Sequence, residues 1–191
     1  MEQEGLIFIT GGARSGKSSF AEKYAQSLMD DENGVLHYVA TAKVTDEEMN
    51  SRIKIHQQDR TKSKVNWKTW EVPVDIHQLA FKFTSKDIVL LDCLTILLTN
   101  ELFSGEIDTK ATESSAYHKD VYSKIINGLL LLSSKVQTLI VVSNEVLLNP
   151  LQRSSLVQNY AQLIGHLHQG LVNHATEAYL VEMGLPIGMK N

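Results

Sequence analysis

Near the start of the chain, Gly11-Gly12-Ala13-Arg14-Ser15-Gly16-Lys17-Ser18 fits the pattern G-x-x-x-x-G-K-[ST]. The chemistry this spacing serves is capture of a phosphate chain. Glycines let the backbone come close, so that successive N–H groups can wrap anionic oxygens. A helix starting at the loop adds its partly positive end. Lys17 is expected to reach the outer phosphates and the Ser18 hydroxyl to ligate Mg²⁺.

Two further groups could complete such a site. Asp92 ends the apolar run Ile88-Val89-Leu90-Leu91. An acid at the end of a buried strand is the arrangement that holds Mg²⁺ beside a bound nucleotide. It also suits an N-cap of a following helix, and the two roles are compatible. The second group is Arg52, His56 and Arg60, which recur every four residues and so share a helix face. Two guanidiniums suit a polyphosphate, and they favour a neutral, nucleophilic imidazole between them. A histidine can attack phosphorus and carry a covalent intermediate. The same spacing also suits a solvated helix face.

The pattern around these residues predicts the elements that position them. Leu6-Ile7-Phe8-Ile9 is a short apolar strand before the loop, and Ser19 to Met29 is helical, with Phe20, Tyr24 and Leu28 on one face. Further strands are expected at Val35 to Ala40, Asn66 to Val72, Ile88 to Asp92, Gln137 to Ser143 and Ala178 to Glu182. Thr45-Asp46-Glu47-Glu48 is a capping box opening a helix to about Arg60. Helices are expected at Val74 to Phe83, Cys93 to Phe103, Glu113 to Ser134 and Leu151 to Ala175, the last broken near Gly165. A turn and a short edge strand follow from Met183 to Met189. Strands alternating with helices imply an α/β fold, a mostly parallel sheet with helices on both faces. Such sheets bind ligands at the carboxyl ends of their strands.

The chain has 191 residues, 43% hydrophobic and 21% charged, which suits one domain spanning residues 1–191. A net charge of −4 argues against nucleic acid as the main partner. No apolar run is long enough to span a bilayer. The acidic start and the single cysteine, Cys93, suit a reducing cytoplasm. Cys93 stands beside an acid, which disfavours the thiolate, so it reads as structural. His37 reads as core or edge, and Trp67 and Trp70 as packing.

Several segments together resemble one family: Gly11 to Ser18, Ala40-Thr41-Ala42, the acidic-to-histidine helix over 46–56, Trp67 to Glu71, Leu90 to Thr95, Thr99 to Phe103 and Ser143 to Val146. It is the bifunctional adenosylcobinamide kinase / adenosylcobinamide-phosphate guanylyltransferase family of cobalamin biosynthesis. The resemblance implies a RecA-like P-loop NTPase fold and a homo-oligomer, a trimer. It implies phosphorylation of a corrinoid hydroxyl by ATP or GTP, then GMP transfer from GTP through a GMP–histidine, here His56. Nucleotide contacts are implied at Gly11 to Ser18, Ala40, Thr41, Ala42, Gln57, Gln58, Asp59, Arg60, Glu71 and Asp92, to which the shared helix face adds Arg52. The chain departs from the family pattern at 147–152, at Tyr160-Ala161-Gln162 and at His168-Gln169. A P-loop kinase without a covalent step, or a nucleotide-binding module without catalysis, are readings the motifs alone also allow.

Overall fold

Strands with two apolar faces need cover on both sides, and the chain supplies it from separate helices. The computed structural model describes residues 5–29, 34–42, 67–103, 114–145 and 155–190. The helix expected from Thr45 to Arg60, with Arg52, His56, Gln57, Gln58, Asp59 and Arg60, lies outside the described residues, as does the polar stretch 105–112.

The elements run β1 (Gly5–Gly11), α1 (Lys17–Ser27), β2 (Leu36–Ala40), β3 (Trp67–Glu71), a 3₁₀ turn (Ile76–Phe81), β4 (Ile88–Asp92), α2 (Leu94–Phe103), α3 (Ser115–Ser133), β5 (Thr138–Asn144), α4 (Ser155–His174), β6 (Glu177–Glu182) and β7 (Leu185–Lys190). The seven strands form one sheet in the order β3-β2-β4-β5-β1-β6-β7. All neighbours pair in parallel except β6 and β7.

Period-two alternation divides each central strand between two cores. Leu6 and Phe8 of β1, Val89 and Leu91 of β4, and Leu139 and Val141 of β5 pack with the 3₁₀ turn and α2 to α4. Ile7 and Ile9, Ile88 and Leu90, and Ile140 and Val142 face the other way, towards Ala21 and Ala25 of α1. The residues α1 buries are Lys17, Ala21, Glu22 and Ala25, so small side chains let it lie close to the sheet. The expected stripe of Phe20, Tyr24 and Leu28 flanks that contact, only partly buried. Tyr24 and Tyr179 both donate to Glu177 at the start of β6, at 2.5 and 2.6 Å, which ties α1 to the sheet.

Two expectations are corrected. The helix around Gly165 is continuous from Ser155 to His174. A glycine costs a helix only about 1 kcal/mol, and Ile164, Leu167 and Leu171 around it are fully buried. The segment after β3 is helical only from Ile76 to Phe81, as a 3₁₀ turn, and it cannot start earlier because its N-cap Asp75 sits at φ 58°, outside helical space. That backbone is held from outside: Glu101 accepts from the Asp75 N–H at 2.7 Å, and Lys124 pairs with Glu101 and Asp75 at 2.6 and 2.7 Å.

Candidate active site

The loop between β1 and α1 has the backbone the motif requires. Gly16 ends it at φ 90° and Arg14 sits at φ 61°, both left-handed. Gly11 has no room for a side chain: a Cβ there would lie 2.4 Å from the Val181 carbonyl oxygen and 2.6 Å from Ser15 Oγ. Gly12 has nothing within 4 Å of that position. Lys17, the first residue of α1, is 7% exposed, and its ammonium donates across the loop to the Gly12 carbonyl at 3.1 Å. Burial pushes its pKa below the usual lysine value, while the nearby Asp92 and Cys93 act in the opposite sense. A lysine held in a dry site with few partners is poised for an anion that replaces the lost water. Ala13, Arg14 and Gly16 stand exposed on the rim, with Ser15 and Ser18 half-buried.

Register places the remaining described residues at the same end of the sheet. Ala40 is paired with Glu71 on one side and Asp92 on the other, which sets three strand ends in one row. Asp92 follows Ile88 and Leu90 by period two and so belongs to the α1 face, the face of Lys17. Its Oδ2 accepts from the Tyr38 hydroxyl at 3.1 Å.

Thr41 is fully buried, and its polar groups are used internally. Its hydroxyl donates to the Cys93 carbonyl and accepts from the Cys93 N–H, both at 2.8 Å. Its own N–H donates to the Asp92 carbonyl, and its carbonyl accepts from Asn100. Thr41 therefore fixes the turn that carries Asp92, while Ala42 and Glu71 stay partly or fully open to solvent.

Cys93 is buried, and burial first, then the Asp92 charge, pushes its thiol up to about 11. It is a protonated thiol at neutral pH, as its acidic neighbour suggests in the sequence. His37 is buried and accepts from Trp70 Nε1 at 3.0 Å, with Asp87 3.7 Å from its other nitrogen. The histidine is core and the tryptophan packs against it, as expected.

The segment Ser143 to Val146 enters the sequence reading only through the family pattern, with no role assigned to its residues. Asn144, at the end of β5, donates to Thr95 Oγ1 at 3.0 Å, and the Glu145 N–H donates to the Gly11 carbonyl at 2.9 Å. Of the departures from the family pattern, Tyr160-Ala161-Gln162 and His168-Gln169 fall on α4, while 147–152 lies outside the described residues. Tyr160 donates to the Thr95 carbonyl at 2.9 Å, and His168 meets Ser143 at 2.8 Å. Gln162 and Gln169 line a groove of about 490 Å³ between α3 and α4.

Comparison with known proteins decides the family. Residues 7–189 match the family described as cobinamide kinase / cobinamide phosphate guanyltransferase. The chain belongs to this family. Relatives named bifunctional adenosylcobalamin biosynthesis protein CobU, from Escherichia coli K12 and Salmonella typhimurium LT2, are 31% and 30% identical over 188 residues, 97% of this chain and 99% of each relative. The protein named CobP from Pseudomonas aeruginosa is 32% identical over 184 residues, 95% of both chains. Among solved structures, an ATPase domain aligns over 94% of this chain and 70% of its own, with TM-score 0.51 and 14% identity. A Pyrococcus horikoshii OT3 protein aligns over 100% and 88%, with TM-score 0.53 and 9% identity. These likenesses bear on the fold alone, an α/β fold with a mostly parallel seven-stranded sheet. Among the described residues no helix is long and apolar enough to cross a membrane.

Proposed function

We propose that this cobinamide kinase / guanyltransferase carries out both reactions on one phosphate-binding loop. In the first, the hydroxyl oxygen of adenosylcobinamide attacks the γ-phosphorus of ATP or GTP. The bond to the β–γ bridging oxygen breaks and the nucleoside diphosphate leaves. In the second, a ring nitrogen of His56 attacks the α-phosphorus of GTP and pyrophosphate leaves. A phosphate oxygen of adenosylcobinamide phosphate then attacks the same phosphorus and frees the histidine. The loop amides and Lys17 take up charge on the departing phosphates.

The observation that carries this reading is the buried Lys17, bridged to Gly12 across the glycine loop and set on the Asp92 face of the sheet. The donors available for Mg²⁺ there are oxygens, the Ser18 hydroxyl and the Asp92 carboxylate, which suits a hard cation sharing substrate phosphates. When bound it would neutralise charge on the phosphate oxygens. Ala40, Ala42 and Glu71 stand where a nucleotide laid along the strand ends would reach them. The roles of His56, Arg52 and Gln57 to Arg60 rest on their spacing and on the family. A cytoplasmic location and a homotrimer belong to the same proposal.

Incubation with GTP radiolabelled at the α-phosphate, with Mg²⁺, tests it. The protein should take up an acid-labile label that is absent from His56→Ala. Retention of label in that variant would reject the assigned nucleophile.

A further inference from the structure

The hairpin that closes the sheet touches the phosphate loop at two points. Two residues before its turn, Val181 of β6 presents the carbonyl oxygen that leaves Gly11 no room for a side chain. At its tip, the Gly184 N–H donates to the Ser15 carbonyl at 2.8 Å. A Cβ on Gly16 would stand 3.1 Å from the Gly184 Cα, so the two backbones are in close contact. The tip is a two-residue turn, with Met183 at φ 50° and Gly184 at φ 80°. Positive φ at both positions is what a tight hairpin with right-handed strand twist needs.

The hydrogen bond orients more than a carbonyl. In a planar trans peptide, C=O and N–H point in opposite directions. The Ser15 carbonyl is held on the hairpin, so the Gly16 N–H of the same peptide points away from it. Gly16 is exposed, and glycine rotates freely about its backbone bonds. Released, this peptide could turn over and offer phosphate a carbonyl in place of a donor. Nothing in the G-x-x-x-x-G-K pattern itself prevents that.

We propose that Gly184 is a positioning residue for triphosphate binding, its N–H fixing the Ser15–Gly16 peptide so that the Gly16 N–H faces the phosphates. The proposal rests on the phosphate-loop reading of residues 11–18. Gly184→Pro removes the donor and cannot adopt φ 80°. Gly184→Asn keeps the donor and tolerates the left-handed region, and a Cβ there meets nothing within 4 Å.

Titration calorimetry with inorganic tripolyphosphate and with MgATP tests this. The Pro variant should bind both about tenfold to a hundredfold more weakly, the loss of one charge-assisted hydrogen bond. The Asn variant should stay within about threefold of wild type, although its melting temperature falls with the strained φ. A Pro variant that binds like wild type, or an Asn variant that loses as much as Pro, overturns the clamp. Wild-type protein that binds neither probe overturns the phosphate-loop reading and the clamp with it.

Amide exchange in wild-type protein is the measurement that does not depend on either variant folding. The Gly184 amide should be protected, and more so with MgATP bound, because coupling between the two contacts is reciprocal. Unprotected exchange in both states overturns the proposal.

Discussion

Adding one methyl group at Gly11 and the same group at Gly12 should have very different effects. At Gly11 the new carbon would lie 2.4 Å from the Val181 carbonyl oxygen, about 1 Å inside ordinary contact. A flexible side chain could yield, but this obstacle is backbone. Val181 is fully buried in β6, a strand paired on both edges. Gly11 is itself tied down, paired with Asn144 and accepting from the Glu145 N–H. Relief must come from separating β1 and β6 locally, and overpacking of this kind costs about 1–3 kcal/mol. For a chain of this size that is a fall in melting temperature of about 3–10 °C. Gly12→Ala meets nothing within 4 Å and should melt within about 1 °C of wild type. Scanning calorimetry without nucleotide measures the pair. Equal melting temperatures for the two variants would refute the claim that the β6 backbone, rather than the loop's own flexibility, dictates glycine at position 11.

Lys17→Met should abolish the thermal shift caused by MgATP while leaving the nucleotide-free protein at least as stable, because the buried ammonium works against the fold until an anion arrives; differential scanning fluorimetry with and without nucleotide checks both halves. Glu101→Ala should destabilise by about 3 kcal/mol in urea, since it strips a partner from the Asp75 N–H and from Lys124 together; a loss below about 1 kcal/mol would show that the 3₁₀ turn holds without it. Burial lowers the His37 pKa, with Lys68 acting in the same sense and Asp87 against it. The folded chain therefore binds fewer protons than the unfolded one, so this contribution is whole above the ordinary value of 6.5 and is lost as pH falls below it. His37→Gln should flatten the fall in melting temperature between about pH 7 and 5 relative to wild type, and parallel curves would reject that account.

The strands were legible because each central one buries both faces and so reads as an unbroken apolar run, Ile-Val-Leu-Leu in β4 and Leu-Ile-Val-Val in β5. The phosphate loop was legible because its chemistry depends on glycines and a lysine at fixed spacing. Helix interiors were harder. Gly165 looks like a break locally, but buried neighbours on both sides keep α4 straight through it. The segment after Pro73 looks helical until one sees Asp75 held at positive φ by Glu101, a residue 26 positions away. The hold that Thr41 has on the turn after β4 is not legible either, because its hydroxyl partner is Cys93, 52 positions on. For Asp75 and Thr41 the deciding partner is distant in sequence, which no local periodicity can report.

The strand order explains why the site needs such long-range supports. The phosphate loop leaves β1 and the acid leaves β4, but β5 lies between them. Lys17 and Asp92 therefore influence each other across an intervening strand rather than from adjacent strands. Both must be aimed: α1 carries Lys17 onto that face, and Tyr38 of β2 and Thr41 just after it hold the Asp92 turn from the other side. The end of β5 contributes the filler between them. The Glu145 N–H caps the Gly11 carbonyl, and Asn144 reaches Thr95 at the start of α2. Asn144→Leu should therefore loosen the Asp92 side of the site while leaving the loop on β1 intact. Tripolyphosphate affinity without metal should hold, and the extra affinity gained with Mg²⁺ should fall. Equal losses with and without the metal would mean that the two strand ends move as one unit, and that β5 is a spacer with no part in aiming the acid.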